Sequence, residues 1–158
     1  MKKIAIVGTG AWGTALALHG ARAGHAVSLL GYRADLVDDI VRTRTHPSFP
    51  GIEPIPELVE PTMSPEEAFD GAEAVLWSVS VQWTASELER LKARLPKAVP
   101  IVSTSKGIEI GTHRRTTQMM RDALGPEAPI AVLSGPTFAA EVARGLPVAI
   151  IGQGVSSR

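Results

Sequence analysis

The sequence predicts a doubly wound α/β fold, a mainly parallel sheet with helices on both faces. Short apolar runs rich in β-branched residues alternate along the chain with stretches of helical spacing. Parallel strands need such crossover helices, and the helices then bury both sides of the sheet. The first apolar run passes directly into Gly8-Thr9-Gly10-Ala11-Trp12-Gly13, a glycine turn that opens a helix. The 158 residues match one globular domain of about 150 residues, so a single domain over 1–158 is expected.

Lys3 to Val7 reads as the first strand, and Ala11 to Ala23 as a helix with Trp12, Ala15, Leu16 and His19 on one face and Gly24 as its stop. Ala26 to Leu30 is the second strand. Asp35 is expected to cap a helix through about Arg44, its carboxylate accepting from the free N–H groups of the first turn. Between Thr45 and Thr62 five prolines (Pro47, Pro50, Pro54, Pro56, Pro61) remove donors at a density that excludes a long helix or a central strand. That segment reads as a loop. Ser64-Pro65-Glu66-Glu67 is a capping box with proline at the first helical position, and a strand is expected at Ala74 to Val79. Helix 82–95 places Leu88, Leu91 and Leu95 on one face. A strand at Val99 to Thr104, a helix at about Thr112 to Leu124, a strand at Pro129 to Leu133, a short helix at Phe138 to Ala143 and a strand at Val148 to Ile151 complete the pattern. In such folds ligands sit outside the carboxyl ends of the strands, so the loops beginning at Gly8, Gly31, Ser80, Ser105 and Ser134 are the ones to inspect.

Charge and composition narrow the function. Sixteen Lys+Arg balance sixteen Asp+Glu, which removes the basic field that nucleic acid or an anionic membrane surface would need. No apolar run approaches the ~18 residues of a membrane span. The absence of cysteine excludes disulfides, thiolate zinc sites and cysteine nucleophiles. Met1-Lys2-Lys3 runs into a strand pattern without a signal-peptide cleavage region, so a cytoplasmic location is expected. His19, His25, His46 and His113 lack metal-ligand spacing and read as surface or capping residues. Trp77 and Trp83 read as packing residues, whereas Trp12 follows the glycine turn directly and is free to cover a ligand or pack on the sheet.

The chemistry concentrates in three segments. G-x-G-x-x-G placed after a strand and opening a helix is a dinucleotide fingerprint. Gly8 permits the tight turn, Gly10 clears the approach of a pyrophosphate, Gly13 lets helix and strand pack closely, and the helix N-terminus offers oriented N–H donors. After the second strand the chain reads Leu30-Gly31-Tyr32-Arg33, without the carboxylate that would bind an unphosphorylated ribose. Arg33 suits adenine stacking or a 2′-phosphate, so NAD(P)H is the expected cofactor, with a lean towards NADPH. Ser105-Lys106-Gly107-Ile108-Glu109 brings an ammonium to the crevice, and Ser134-Gly135-Pro136-Thr137-Phe138-Ala139-Ala140-Glu141 turns into a helix whose free N–H groups and Thr137 hydroxyl suit an anion or polyol.

Taken together, these three segments resemble the NAD(P)-dependent glycerol-3-phosphate dehydrogenase family over nearly the whole chain. The resemblance implies a Rossmann-type domain followed by a helical substrate domain that these residues do not include. It implies hydride transfer at C2 between NAD(P)H and dihydroxyacetone phosphate, giving sn-glycerol 3-phosphate for phospholipid synthesis, and a possible homodimer of the full-length enzyme. It assigns Gly8, Gly10, Ala11, Trp12 and Gly13 to the pyrophosphate, and Tyr32 and Arg33 to the adenosine end. Lys106 would touch both cofactor and substrate, Gly135 and Thr137 the substrate, and Ala139 the cofactor. The lysine that the resemblance makes general acid/base has no counterpart in this chain, so the chain alone is expected to bind cofactor and turn over little substrate. Val79-Ser80-Val81-Gln82 departs from the family's Val-Pro-Ser turn, which implies a looser backbone there, and His46-Pro47-Ser48-Phe49-Pro50-Gly51 follows its Pro-Gly loop only loosely. Two further readings stand beside this one: a neighbouring two-domain hydroxy-acid dehydrogenase, and a stand-alone NAD(P)-binding or redox-sensing module.

Overall fold

The computed structural model of the chain describes residues 1–50 and 54–154. Seven strands form one sheet: β1 (Lys3–Val7), β2 (Ala26–Leu30), β3 (Val59–Thr62), β4 (Ala74–Trp77), β5 (Ile101–Ser103), β6 (Ile130–Ser134) and β7 (Ile151–Gly154). Six helices connect them: α1 (Ala11–Arg22), α2 (Ala34–Thr43), α3 (Pro65–Phe69), α4 (Val81–Leu91), α5 (Thr116–Leu124) and α6 (Ala139–Ala143). The strand order is β3-β2-β1-β4-β5-β6-β7, with every neighbouring pair parallel except the antiparallel β6 and β7. The chain moves outward from β1 to β3 and then returns to β4 on the other side of β1. The carboxyl ends of β1 and β4 therefore flank the switch point at which doubly wound sheets bind ligands.

Strand alternation divides the core in two. Ala5, Val7, Val75 and Trp77 face one side, where they pack with Ala68 and Phe69 of α3, Val81, Leu88 and Leu91 of α4, and Met119 and Met120 of α5. Ile6, Val27 and Leu29 face the other, against Ala15, Leu16 and Leu18 of α1, Ile40 of α2, and Val142 and Ala143 of α6. Helices thus cover both faces, as the alternating pattern predicts. Arg22 at the end of α1 donates through its guanidinium to the carbonyls of Val142 (2.9 Å) and Ala143, closing the last turn of α6. Through that contact α6 is tied to the helix that the glycine turn opens.

Several expectations are corrected. The segment from Thr45 to Thr62 is not wholly loop, because its last four residues form β3 beside β2. The proline argument against a central strand survives, since β3 is the edge of the sheet and Pro61 sits where one side of the ladder is open. Arg44 ends α2 in the left-handed conformation (φ 54°) and fastens the segment, with its guanidinium donating to the carbonyls of Ile55 (3.0 Å), Pro56 and Val59 (2.8 Å). Gly51 of the Pro-Gly resemblance lies outside the described residues.

Asp35 does not cap α2. The N-cap is Arg33, and Asp35 stands in the first turn, paired with the Arg33 guanidinium, which holds its carboxyl below the usual carboxylate range. The expected helix from Thr112 begins only at Thr116, where the Gln118 side-chain Oε1 accepts from the Arg115 N–H at 2.9 Å. Thr112 instead donates its hydroxyl to Glu109. The last strand begins at Ile151 rather than Val148 and runs antiparallel. His19 is exposed, as a surface histidine should be, whereas His46 is buried, against the expectation. Ser64 behaves as read from the sequence, accepting from the Glu67 N–H at 3.2 Å with Pro65 opening α3.

Candidate functional site

Gly8 leaves the end of β1 with φ 112°, a conformation open to glycine, and its N–H donates to the Leu30 carbonyl at 2.8 Å. The turn folds back so closely that a Cβ on Gly13 would lie 2.0 Å from the Gly8 carbonyl oxygen. Gly10 differs. It is exposed, it forms the N-cap of α1, and a Cβ there would meet nothing within 4 Å. Gly13 is thus required by packing, while Gly10 leaves room for something outside the protein.

That room is a cleft of about 750 Å³ at the carboxyl ends of the strands. The residues singled out from the sequence that line it are Gly8, Gly10, Ala11, Trp12, Tyr32, Lys106, Thr137 and Ala139. Gly13 lies beneath it against Gly8. Arg33 stands outside the wall with its guanidinium on Asp35, and Gly135 also lies outside. A Cβ on Gly135 would come within 2.3 Å of the Ala149 carbonyl oxygen, so close backbone approach is a sufficient reason for glycine there.

Lys106 joins three of these loops. Its ammonium donates to the Thr137 carbonyl at 3.0 Å and lies 5.5 Å from the centre of the Trp12 ring, within cation–π range. The loop it rides on is anchored twice. The Gln82 side-chain amide donates to the Ile108 carbonyl and accepts from the Ile110 N–H, each at 3.0 Å. Glu109 accepts from Thr112 and Arg114, and the Thr112 hydroxyl and the Arg114 guanidinium hold its carboxyl below the usual range. Gln82 belongs to the segment that departs from the family turn. That turn is not loose, because Ser105 donates its hydroxyl to the Val79 carbonyl at 2.5 Å and α4 starts at once after Ser80.

Residues without an assigned ligand role also form part of the wall: Ser78, Val79, Ser80, Trp83, Ser86, Glu87, Thr104, Ser105 and Phe138. The strand-end rule pointed to the loops that carry most of them, but not to individual residues. Trp83 is 66% exposed and Phe138 71%, so neither is the packing residue that an aromatic side chain suggests. Both border the cleft instead. Glu87 places a carboxylate there, offset by Arg90, whose guanidinium donates to it at 3.1 Å through Nε. Ser78 and Thr104 share a hydrogen bond of 2.7 Å that joins the ends of β4 and β5 under the cleft. No helix among the described residues is long and apolar enough to cross a membrane.

A parallel sheet with its switch point at β1 and β4, a glycine turn there opening a helix, and an open space above the second glycine together define a Rossmann-type dinucleotide-binding domain. Comparison with known proteins specifies which kind. The family described as NAD-dependent glycerol-3-phosphate dehydrogenase N-terminus matches residues 3–154, and the chain belongs to that family. A glycerol-3-phosphate dehydrogenase (NAD(P)+) of Paramagnetospirillum magneticum is 47% identical over 154 residues, covering 95% of this chain and 54% of its own. A second, from Mycobacterium tuberculosis, is 41% identical over 149 residues, covering 94% of this chain and 45% of its own. The crystal structure of a glycerol-3-phosphate dehydrogenase from Coxiella burnetii superposes with a TM-score of 0.86 at 33% identity, over 94% of this chain and 45% of that one. The chain spans about half the length of the relatives it matches.

Proposed function

We propose that these residues form the cofactor side of an sn-glycerol-3-phosphate dehydrogenase, binding NAD(P)H in the cleft and presenting it to dihydroxyacetone phosphate or glycerol 3-phosphate. The observation that carries this reading is the open space above Gly10 at the N-terminus of α1. A side chain would fill that space, and the N–H donors of the first turn with the dipole of a twelve-residue helix favour an anion in it. The donor set fits a pyrophosphate. When bound, NAD(P)H supplies the hydride that reduces the ketone carbon.

The residues of the chain do the rest of the work on this side. Trp12 and Tyr32 stand in the cleft wall. Lys106 holds positive charge beside Trp12 and Thr137, where it can offset both a phosphate and the oxygen that becomes an alkoxide as the ketone is reduced. Thr137 and Ala139 stand in the cleft wall, where Thr137 would meet the substrate and Ala139 the cofactor, and Gly135 would contribute to the substrate side through the turn that carries Thr137. A cytoplasmic location and a dimer of the whole enzyme belong to the same proposal.

The test is fluorescence titration of the chain with NADPH and NADH, using the tryptophans at the cleft. Gly10→Asp has space for its side chain in the free protein, so its melting temperature is expected to stay close to that of the parent. Its carboxylate would face the pyrophosphate, and affinity is expected to fall about 100-fold or more. Undiminished binding by Gly10→Asp would remove the glycine turn from the site.

Arg33 carries the lean towards NADPH. Its guanidinium is exposed and shared with Asp35, so its preference for a 2′-phosphate is expected to be modest, about fivefold in the NADPH/NADH affinity ratio. Arg33→Ala should lose that ratio and leave NADH affinity unchanged. An unaltered ratio assigns the 2′-phosphate to another group.

A further inference from the structure

We propose that His46, which does not line the cleft, is a positioning residue that fixes the Gly10 N–H toward an anionic ligand by holding the peptide it belongs to. This inference rests on the dinucleotide reading above. His46 sits in the proline-rich segment between α2 and β3 and is 6% exposed. Its Nδ1 accepts from the Ser48 N–H at 3.1 Å, so Nε2 carries the hydrogen and donates it to the Thr9 carbonyl at 2.9 Å. The Phe49 ring packs against the imidazole with centroids 5.5 Å apart. Both nitrogens and one face of the ring are therefore engaged, and the imidazole has one orientation.

The Thr9 carbonyl and the Gly10 N–H belong to the same peptide group. The described chain has no cis peptide bonds, and in a trans peptide the two point in opposite directions. With the carbonyl turned inward onto a buried imidazole, the N–H is turned outward, on the side where Gly10 borders the cleft. A peptide that precedes glycine has little steric resistance to flipping, because glycine accepts the altered φ. Thr9 is itself 1% exposed, so a carbonyl without the imidazole would be a buried acceptor lacking this donor, and the flipped peptide would become competitive. His46 selects between the two orientations from outside the site.

The experiment compares the chain with His46→Leu, which keeps the apolar contact with Phe49 and has no donor, and His46→Gln, whose amide can donate at similar reach. NADPH affinity is expected to fall about tenfold in His46→Leu, the loss of roughly one hydrogen bond, and to return to within about threefold of the parent in His46→Gln. A role in packing alone would not be rescued by glutamine. Parent-like affinity in His46→Leu, or equal loss in both variants, overturns the proposal while leaving the dinucleotide reading intact. Nitrogen-detected NMR of the unsubstituted chain adds a readout that needs neither ligand nor variant: hydrogen on Nε2 is expected, and hydrogen on Nδ1 alone overturns the proposal. If the parent fails to bind NADPH or NADH, the dinucleotide reading falls. The Gly10 amide resonance then decides the peptide orientation by itself, expected to move in His46→Leu and return in His46→Gln; a resonance unmoved in both overturns it.

Discussion

Gly13→Ala is expected to cost the domain about 3 kcal/mol or more of stability, although it adds a single methyl group on a helix. The added carbon would lie 2.0 Å from the Gly8 carbonyl oxygen and 3.3 Å from Cβ of Ser78. Relief would require the turn to move, and the turn has nowhere to go. Gly8 is bonded to the end of β2 through the Leu30 carbonyl at 2.8 Å, and the position of its own missing Cβ is 2.8 Å from the Ser78 carbonyl oxygen. Moving α1 instead would pull Ala15, Leu16 and Leu18 out of a core in which they are almost fully buried. Urea unfolding should therefore show a lower midpoint with little change in slope, and NADPH binding should fall with the distortion of the turn. Gly10→Ala is the control, three residues away on the same motif, with nothing within 4 Å of its added carbon. A Gly13→Ala chain as stable as the parent would show that the turn yields, and would remove close packing as the reason for the third glycine.

The contrast between those two glycines shows what the sequence makes legible. Their spacing, after a strand and before a helix, implies a role for each, and the structure separates them sterically, with a clash at Gly13 and open space at Gly10. The sheet and most helices are legible for a similar cause: buried strands and one-sided helices repeat at periods that apolar residues reveal. β3 escapes, and β7 is expected three residues too early, because both lie at the edges. β3 carries Pro61 and spans four residues, and all of β7 is exposed, so neither presents the alternation of a half-buried strand. Lys106 and Thr137 have no periodic signature, and the resemblance of their segments to a family supplied what spacing could not. His46 had only the loose likeness of its segment to the family's Pro-Gly loop, which assigns it no contact. A lone histidine among prolines reads as surface, and what buries it is a tertiary contact with a turn 37 residues earlier. Arg33 and Asp35 show the same limit at short range, where an arginine two residues away engages the carboxylate that was expected to cap the helix.

Trp77→Ala is expected to have the other large effect, about 3–5 kcal/mol, from the cavity and the lost transfer energy of a fully buried indole. Against a total of about 5–15 kcal/mol for a domain, such a loss could remove most of the margin. The side chain stands at the end of β4 in the core shared with α3, α4 and α5, and its Nε1 donates to the Thr84 hydroxyl at 3.3 Å. Size and hydrogen bond can be separated. Trp77→Phe removes the donor and part of the volume, and Thr84 retains the Ser80 carbonyl, to which its hydroxyl donates at 3.2 Å. Thr84→Val should therefore cost less in the Trp77→Phe background than in the parent, a coupling of about 1 kcal/mol measurable in a double-mutant cycle by urea unfolding. Additive costs would show that the indole contributes by volume alone. Its backbone reaches the site independently of the ring, since the Trp77 carbonyl accepts from the Thr104 N–H at 2.9 Å and hydroxyl at 3.0 Å. Those contacts survive every side-chain substitution, so NADPH affinity measured under conditions where Trp77→Phe is fully folded should stay within about threefold of the parent. Loss of affinity without loss of folded protein would make Trp77 part of the cleft rather than of the core beneath it.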